Sequence, residues 1–97
     1  GLIATTEAGD PGGMANLVFH PTTWDTRGMC YLEDLFVARA ARGTGLAERL
    51  IEAVYELAGD RGVGAVYWHT QQFNGAARSL YDTVARLQSW VVYEHRL

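Results

Sequence analysis

Apolar and polar positions alternate, or apolar residues cluster with β-branched ones, through the first 37 residues, and this pattern predicts strands. Leu2-Ile3-Ala4-Thr5-Thr6 is the first such run, and Gly9-Asp10-Pro11-Gly12-Gly13 after it is a strong turn signal. Met14-Ala15-Asn16-Leu17-Val18-Phe19-His20 predicts the returning strand of a hairpin. Pro21 stops it, and residues 22–28 form a loop. A third strand is expected over Met29–Val37. Strict alternation puts Tyr31, Glu33, Leu35 and Val37 on one face, with Cys30, Leu32, Asp34 and Phe36 on the other. The period then changes. Ala47, Leu50, Ile51, Val54, Leu57 and Ala58 recur at helical spacing, while Glu48, Arg49, Glu52 and Glu56 fall on the opposite side. Gly59 and Gly62 end that helix. Residues 65–70 form a buried-looking strand, and Asn74 can cap a second helix with Ala77, Leu80, Tyr81 and Val84 on one stripe. Trp90-Val91-Val92-Tyr93 predicts a final strand. The order β-β-β-α-β-α-β describes an α/β fold of the α+β kind, helices on a mixed sheet.

Composition narrows what such a fold does. A chain of 97 residues allows one domain spanning residues 1–97, with a core small enough that a bound ligand or a second copy would add needed stability. A homo-oligomer is therefore expected. A net charge of -3 argues against nucleic acid, whose phosphates call for clustered Lys and Arg. No apolar run is long enough to span a bilayer, and no membrane partner is expected. No signal peptide is visible either. The single cysteine, Cys30, excludes an internal disulfide framework and a Cys-rich metal site, which fits a reducing, cytoplasmic setting. His20, His69 and His95 lack metal-ligand spacing, so no metal is expected. They are assigned structural or surface roles, with His69 alone able to join a proton relay. The chain lacks an initiator Met and opens inside a predicted strand, which suggests that it is incomplete at the front.

Arg42-Gly43-Thr44-Gly45-Leu46-Ala47 carries the most chemistry. A strand enters a glycine-bearing turn that opens an amphipathic helix. Backbone N–H groups at a helix start have no intrahelical partner, and the helix dipole adds partial positive charge there. Gly43 and Gly45 remove side chains that would block close approach, so a pyrophosphate could lie against the amides with the Arg42 cation beside it. The competing interpretation is a plain strand-to-helix connection with glycines for tight packing. Two better-known phosphate motifs do not apply. There is no Gly-Lys-Ser/Thr, and neither a third Rossmann glycine nor the acidic residue that would follow it is present.

The six residues from Arg42 to Ala47 resemble the Arg/Gln-x-x-Gly-x-Gly/Ala signature of the GNAT acetyltransferase superfamily. Tyr31-Leu32-Glu33-Asp34-Leu35-Phe36-Val37 is similar to that family's fourth strand, and Asn74-Gly75-Ala76-Ala77-Arg78-Ser79-Leu80-Tyr81 to its Asn-x-x-Ala-x-x-Leu/Phe-Tyr helix. The resemblance implies a GNAT-like, mostly antiparallel mixed sheet, lacking the family's first strand and its first two helices, with an acetyl-CoA-binding core over residues 29–84. The strands over 29–37 and 65–70 would splay to admit the pantetheine arm. Acetyl-CoA would be the co-substrate, its pantetheine paired with backbone groups of Phe36 and Val37. Its pyrophosphate would lie on amides of Arg42, Gly43, Thr44, Gly45, Leu46 and Ala47, with Asn74 and Ala77 near the arm.

By the same resemblance Tyr81 would protonate the CoA sulfur, and Glu33 would be the base, matching a glutamate of the polyamine-acetyltransferase branch. Each residue also has a plainer role open to it. Tyr81 could simply pack on the helix stripe, and Glu33 could anchor a cationic substrate without moving a proton. Asp34 is expected to be structural or at the surface, Trp24 either lines an acceptor pocket or anchors packing, and Cys30 is a small strand residue. The chain departs from the family after Tyr81, where Val84-Ala85-Arg86-Leu87-Gln88-Ser89-Trp90 replaces the usual Gly-Phe. The implied activity is transfer of an acetyl group to a primary amine of a small molecule. A non-catalytic acyl-CoA-binding or assembly module and a protein or peptide N-acetyltransferase are the alternatives.

Overall fold

The computed structural model of the chain describes residues 2–5, 11–39 and 42–97, so Thr6 of the first expected strand, Gly9 and Asp10 of the expected turn, and Ala40 and Ala41 before the glycine turn lie outside it. Strand β1 (Leu2–Thr5) pairs antiparallel with β2 (Pro11–His20), and β2 pairs antiparallel with β3 (Met29–Val37). A helix, α1 (Leu46–Asp60), leads to β4 (Ala65–Tyr67), which lies parallel to β3. Helix α2 (Gly75–Val84) follows. The strand order in the sheet is β1-β2-β3-β4. Parallel pairing of β3 and β4 requires a crossover, and α1 supplies it.

Strand β2 starts earlier than the turn signal suggests, because Pro11 and the two glycines after it already belong to the ladder. Pro11 takes the first strand position, where its missing N–H is tolerated. Gly13 is required by close approach: a Cβ there would come within 2.7 Å of the Phe36 carbonyl oxygen. At Gly13 two strands meet too tightly for a side chain.

The core lies between the sheet and α1. Leu50, Val54 and Ala58 of the helix close over Ala15, Cys30 and Leu32, with Leu17, Phe19, Leu35, Val66 and Trp68 packed around them. Ile51 and Val54 are fully buried. Each such aliphatic side chain stabilises by about 1.5–3 kcal/mol through the area it removes from water. The helix ends where the glycines require. Gly62 has φ 75°, its N–H donates to the Gly59 carbonyl, and the Val63 N–H donates to that of Ala58. Together these form a Schellman motif that satisfies two otherwise unpaired carbonyls. At the other end of the molecule Asn74 caps α2 as expected, its Oδ1 accepting from the Ala77 N–H at 3.3 Å. The Tyr55 hydroxyl reaches from α1 to the Val84 carbonyl at 2.8 Å and ties the two helices together.

Three expectations change. The alternation along β3 is interrupted, because the register with β2 shifts between Asn16 and Leu17: Asn16 faces Asp34 while Leu17 faces Leu32. Glu33 is the extra residue of a β-bulge. Leu35 therefore joins the Cys30 and Leu32 side, against the core, and Asp34 turns with Glu33 toward the opposite face. Strand β4 is three residues long instead of six, because β3 turns away beyond Tyr31 and leaves residues 68–70 without a partner strand. The final strand expected at 90–93 does not form. Trp90, Val91, Val92 and Tyr93 are 72–94% exposed, and residues 86–97 carry no regular structure. A strand-like pattern pairs only where a neighbour accepts its backbone hydrogen bonds, and β4 offers a short edge.

Candidate active site where two parallel strands diverge

Strands β3 and β4 are in register over Met29–Tyr31 and Ala65–Tyr67, and no further. Past that point they separate, and a cleft opens that is lined by Leu32, Glu33, Asp34, Leu35, Trp68, His69 and Tyr81. The two sequence-derived chemical candidates, Glu33 on the strand and Tyr81 on α2, thus face one cavity. The bulge presents Glu33, exposed, on the cleft side, and brings Asp34 with it instead of leaving Asp34 on the far face. Asp34 accepts from Asn16 Nδ2 at 3.3 Å.

Tyr81 is placed by aromatic packing. Its ring meets Trp68 edge-on at 5.4 Å between centroids, and Trp68 in turn leans on Tyr55. Burial pushes the Tyr81 phenol above the usual tyrosine range, because the charged phenolate is the form that burial penalises. The group is therefore held as a neutral O–H donor.

The edge of β3 that faces the cleft carries alternate amides. Ala38 N–H donates to the Gly12 carbonyl at 2.7 Å, so residues 12 and 38 form a hydrogen-bonded pair, and the ladder makes Met14 and Phe36 the next. By the same alternation the peptide groups of Leu35 and Val37 point away from β2. The Val37 carbonyl is already taken by Arg42 Nε at 3.3 Å. Arg42 thus fastens the loop to the strand end.

That loop turns through two left-handed glycines, Gly43 and Gly45, both at φ 79°. A Cβ at either position would touch nothing within 4 Å, so the glycines serve the backbone turn and an open surface, not internal packing. Gly45 is the N-cap of α1 and provides no side-chain cap, while the first helical bond runs from Arg49 N–H to the Gly45 carbonyl. Thr44 is exposed. Leu46 plants its side chain in the core and Ala47 is half-buried, which fixes the helix start. Asn74 and Ala77 lie together at the start of α2.

Other candidates take plain positions. Cys30 is buried, with burial pushing its thiol up and Arg61 opposing, and it lies in the core instead of the cleft. Trp24 is 76% exposed and anchors no packing. Among the described residues no group of His, Cys, Asp and Glu could hold a metal ion, and no helix is long and apolar enough to cross a membrane. Trp68, Asp34 and His69 are cleft residues that sequence reasoning did not place. The tryptophan and the aspartate were invisible because a bulge and a strand end leave no mark in the hydrophobic pattern. His69 was marked only as a possible relay.

The match to the model of the acetyltransferase (GNAT) family covers residues 1–84, ending with α2. The D-amino-acid N-acetyltransferase of Saccharomyces cerevisiae is 40% identical over 93 residues, which is 96% of this chain and 58% of that protein. The chain thus spans little more than half the length of that relative. The ribosomal-protein-alanine N-acetyltransferase of Brucella melitensis biovar Abortus superposes with a TM-score of 0.85 at 21% identity, over 98% of this chain and 68% of the other. An aminoglycoside N-acetyltransferase in complex with CoA gives 0.83 at 22% identity, over 98% and 72%. At these identities the structural likeness speaks for the fold. The diverging strands, the glycine turn and the sequence match agree, and the chain belongs to the GNAT acetyltransferase family.

Proposed function

We propose that the protein of which this chain is part is an acetyl-CoA-dependent N-acetyltransferase acting on a primary amine of a small molecule, and that Glu33 and Tyr81 move the protons. The observation that carries this is the cleft itself, with a carboxylate from β3 and a neutral phenol from α2 on its walls and the glycine turn at the end of β3. The name of the yeast relative makes an amino-acid-like acceptor the first to try.

The residues present fit the co-substrate. The open space around Gly43 and Gly45 and the uncapped start of α1 suit a pyrophosphate, held by amides of Arg42, Gly43, Thr44, Gly45, Leu46 and Ala47. Arg42 adds its charge while holding the loop to Val37. Leu35 and Val37 offer the outward peptide groups that would pair with the pantetheine arm as a strand would, whereas the backbone of Phe36 is committed to Met14. Phe36 would contribute its 55% exposed side chain instead. Asn74 and Ala77 flank the arm from α2. Acetyl-CoA, when bound, supplies an activated acyl group on a thiolate leaving group. The amine must be neutral to attack, so Glu33 takes a proton from the ammonium, and Tyr81 gives one to the departing sulfur. One outward amide of β3 would polarise the acyl carbonyl. A cytoplasmic, homo-oligomeric protein is the setting we favour, supported by the lone buried thiol and by the exposed apolar segment at 90–93.

The test is thiol release from acetyl-CoA by the full-length protein with amino acids, diamines and peptides as acceptors. Release with an amine, lowered about a hundredfold in kcat by Tyr81→Phe, is expected. No release with any amine would overturn the proposal.

A further inference from the structure

The face of the sheet turned away from α1 carries four aromatic rings that the chemistry above does not use. His20 ends β2, Tyr31 lies in β3, Tyr67 ends β4 and His69 follows it. Tyr31 and Tyr67 are register partners, and their rings stack at 5.0 Å between centroids. His20 Nδ1 lies 2.8 Å from the Pro21 carbonyl oxygen, and its Nε2 lies 2.6 Å from the Tyr67 hydroxyl. A carbonyl has no hydrogen to give, so Nδ1 carries the proton of the neutral ring. Nε2 is then a lone pair, and the short contact is the Tyr67 hydroxyl donating to it. With its only hydrogen committed, Tyr67 Oη shows acceptor capacity alone to anything that approaches. On the other side of the stack, the Tyr31 hydroxyl lies 3.2 Å from His69 Nδ1, and His69 also lines the cleft with Glu33 and Tyr81. The phenol pair is therefore continuous with the cleft through His69.

Resting on the acetyltransferase reading, we propose that Tyr67, oriented by His20, is a specificity-determining residue that receives an N–H of a cationic acceptor. An oxygen limited to accepting favours a donor-only group. The Tyr31–Tyr67 stack adds the electron-rich faces that attract ammonium. The Glu33 and Asp34 carboxylates on the adjoining cleft wall add negative charge. Burial and the neighbouring Tyr31 hold the Tyr67 phenol above its usual range, so it stays a neutral hydroxyl whose proton can go only to His20. A neutral alcohol of the same shape can still donate its O–H to Tyr67, but it gains neither the ring-face nor the carboxylate attraction that a cation does.

The experiment titrates 2-phenylethylamine and its neutral isostere 2-phenylethanol into the full-length, CoA-saturated protein by calorimetry. The wild type is expected to prefer the amine about tenfold, the scale of one charge-assisted hydrogen bond. Tyr67→Phe and His20→Ala should each cut that preference severalfold, with CoA affinity unchanged. His20→Gln, whose amide oxygen can accept the Tyr67 proton, should restore it. A preference that survives both Tyr67→Phe and His20→Ala, or that falls only in step with CoA affinity, overturns the proposal. Should Tyr67→Phe fail to fold, His20→Ala carries the same comparison. Thiol release is followed in parallel, so the two ideas separate. Loss of preference without any turnover keeps the subsite and removes the transferase reading, and turnover with an unaltered preference does the reverse.

Discussion

Tyr81 owes its proposed role to burial as much as to its hydroxyl. Packed on Trp68, it holds its proton to higher pH than a tyrosine in water, so the group that faces the cleft is a protonated phenol throughout the neutral range. Tyr55 and Tyr67 are raised for the same reason. The stability consequence has a definite sign. A phenol whose folded value lies above its unfolded value contributes stability that is complete below the ordinary tyrosine range, and that contribution is lost as pH rises through the folded value. Unfolding free energy should thus be flat with respect to these phenols near neutrality and fall above about pH 10. In Tyr81→Phe the alkaline fall should be shallower, and absorbance at 295 nm should lose part of its late-titrating phenolate. An alkaline fall identical in the two proteins would show that Tyr81 is not the buried phenol it is taken to be. Glu33 and Tyr81 could be named from sequence because the resemblance to the acetyltransferase family marks them. Their meeting in one cleft could not, since it depends on a bulge and on where β4 stops.

The elements end where local chemistry makes them end. Gly62→Ala should destabilise the protein by about 1–2 kcal/mol, because an L side chain at φ 75° is strained and the Schellman bonds depend on that conformation. Chemical denaturation followed by circular dichroism measures this. Asn74→Ala removes the acceptor for the Ala77 N–H and should lose about 1 kcal/mol, while Asn74→Ser, which caps as well, should lose little. Both helices were legible to within a residue or two, since a 3.6-residue stripe, a capping Asn and terminal glycines are all local signals. The strands were legible less evenly. β3 has the bounds its pattern suggested, but its faces exchange at Glu33, where Asn16 and Leu17 meet Asp34 and Leu32. Alternation cannot show a bulge, because the extra residue looks like one more member of the series. The glycines at 12 and 13 signalled a turn and proved to be strand, and at Gly13 small size serves an approach of β2 to β3 that only the assembled sheet creates.

At the scale of the whole molecule the core is one layer of contacts between α1 and the sheet. Val54→Ala should cost about 2–3 kcal/mol, a large share of the roughly 5–15 kcal/mol by which folded proteins are stable. Ligand should matter correspondingly. On the proposed function, CoA at about 100 times its dissociation constant should add about 2.7 kcal/mol, a rise of several degrees in Tm. Gly45→Ala should abolish most of that rise and also lower the unliganded Tm by several degrees, since an L side chain at φ 79° is strained even with nothing around it to clash. A thermal shift unchanged by Gly45→Ala would mean that CoA binds elsewhere.

By itself the sequence did not show where β2 begins or β4 ends, but it determined the order of strands and helices up to Val84, where the helices begin and end, and that a glycine turn follows the third strand. These features depend on residues close together in the chain, and periodicity and capping report them directly. Only the tertiary structure decided that β3 and β4 part after Tyr31, that Asp34 and His69 join Glu33 and Tyr81 around one cleft, and that His20 fixes the hydroxyl of Tyr67 from 47 residues away. It also decided that residues 90–93, strand-like in composition, pair with no strand among the described residues. Each of these outcomes turns on which backbone lies alongside which, and hydrogen-bond partners brought together across the sheet leave no local trace in the order of residues.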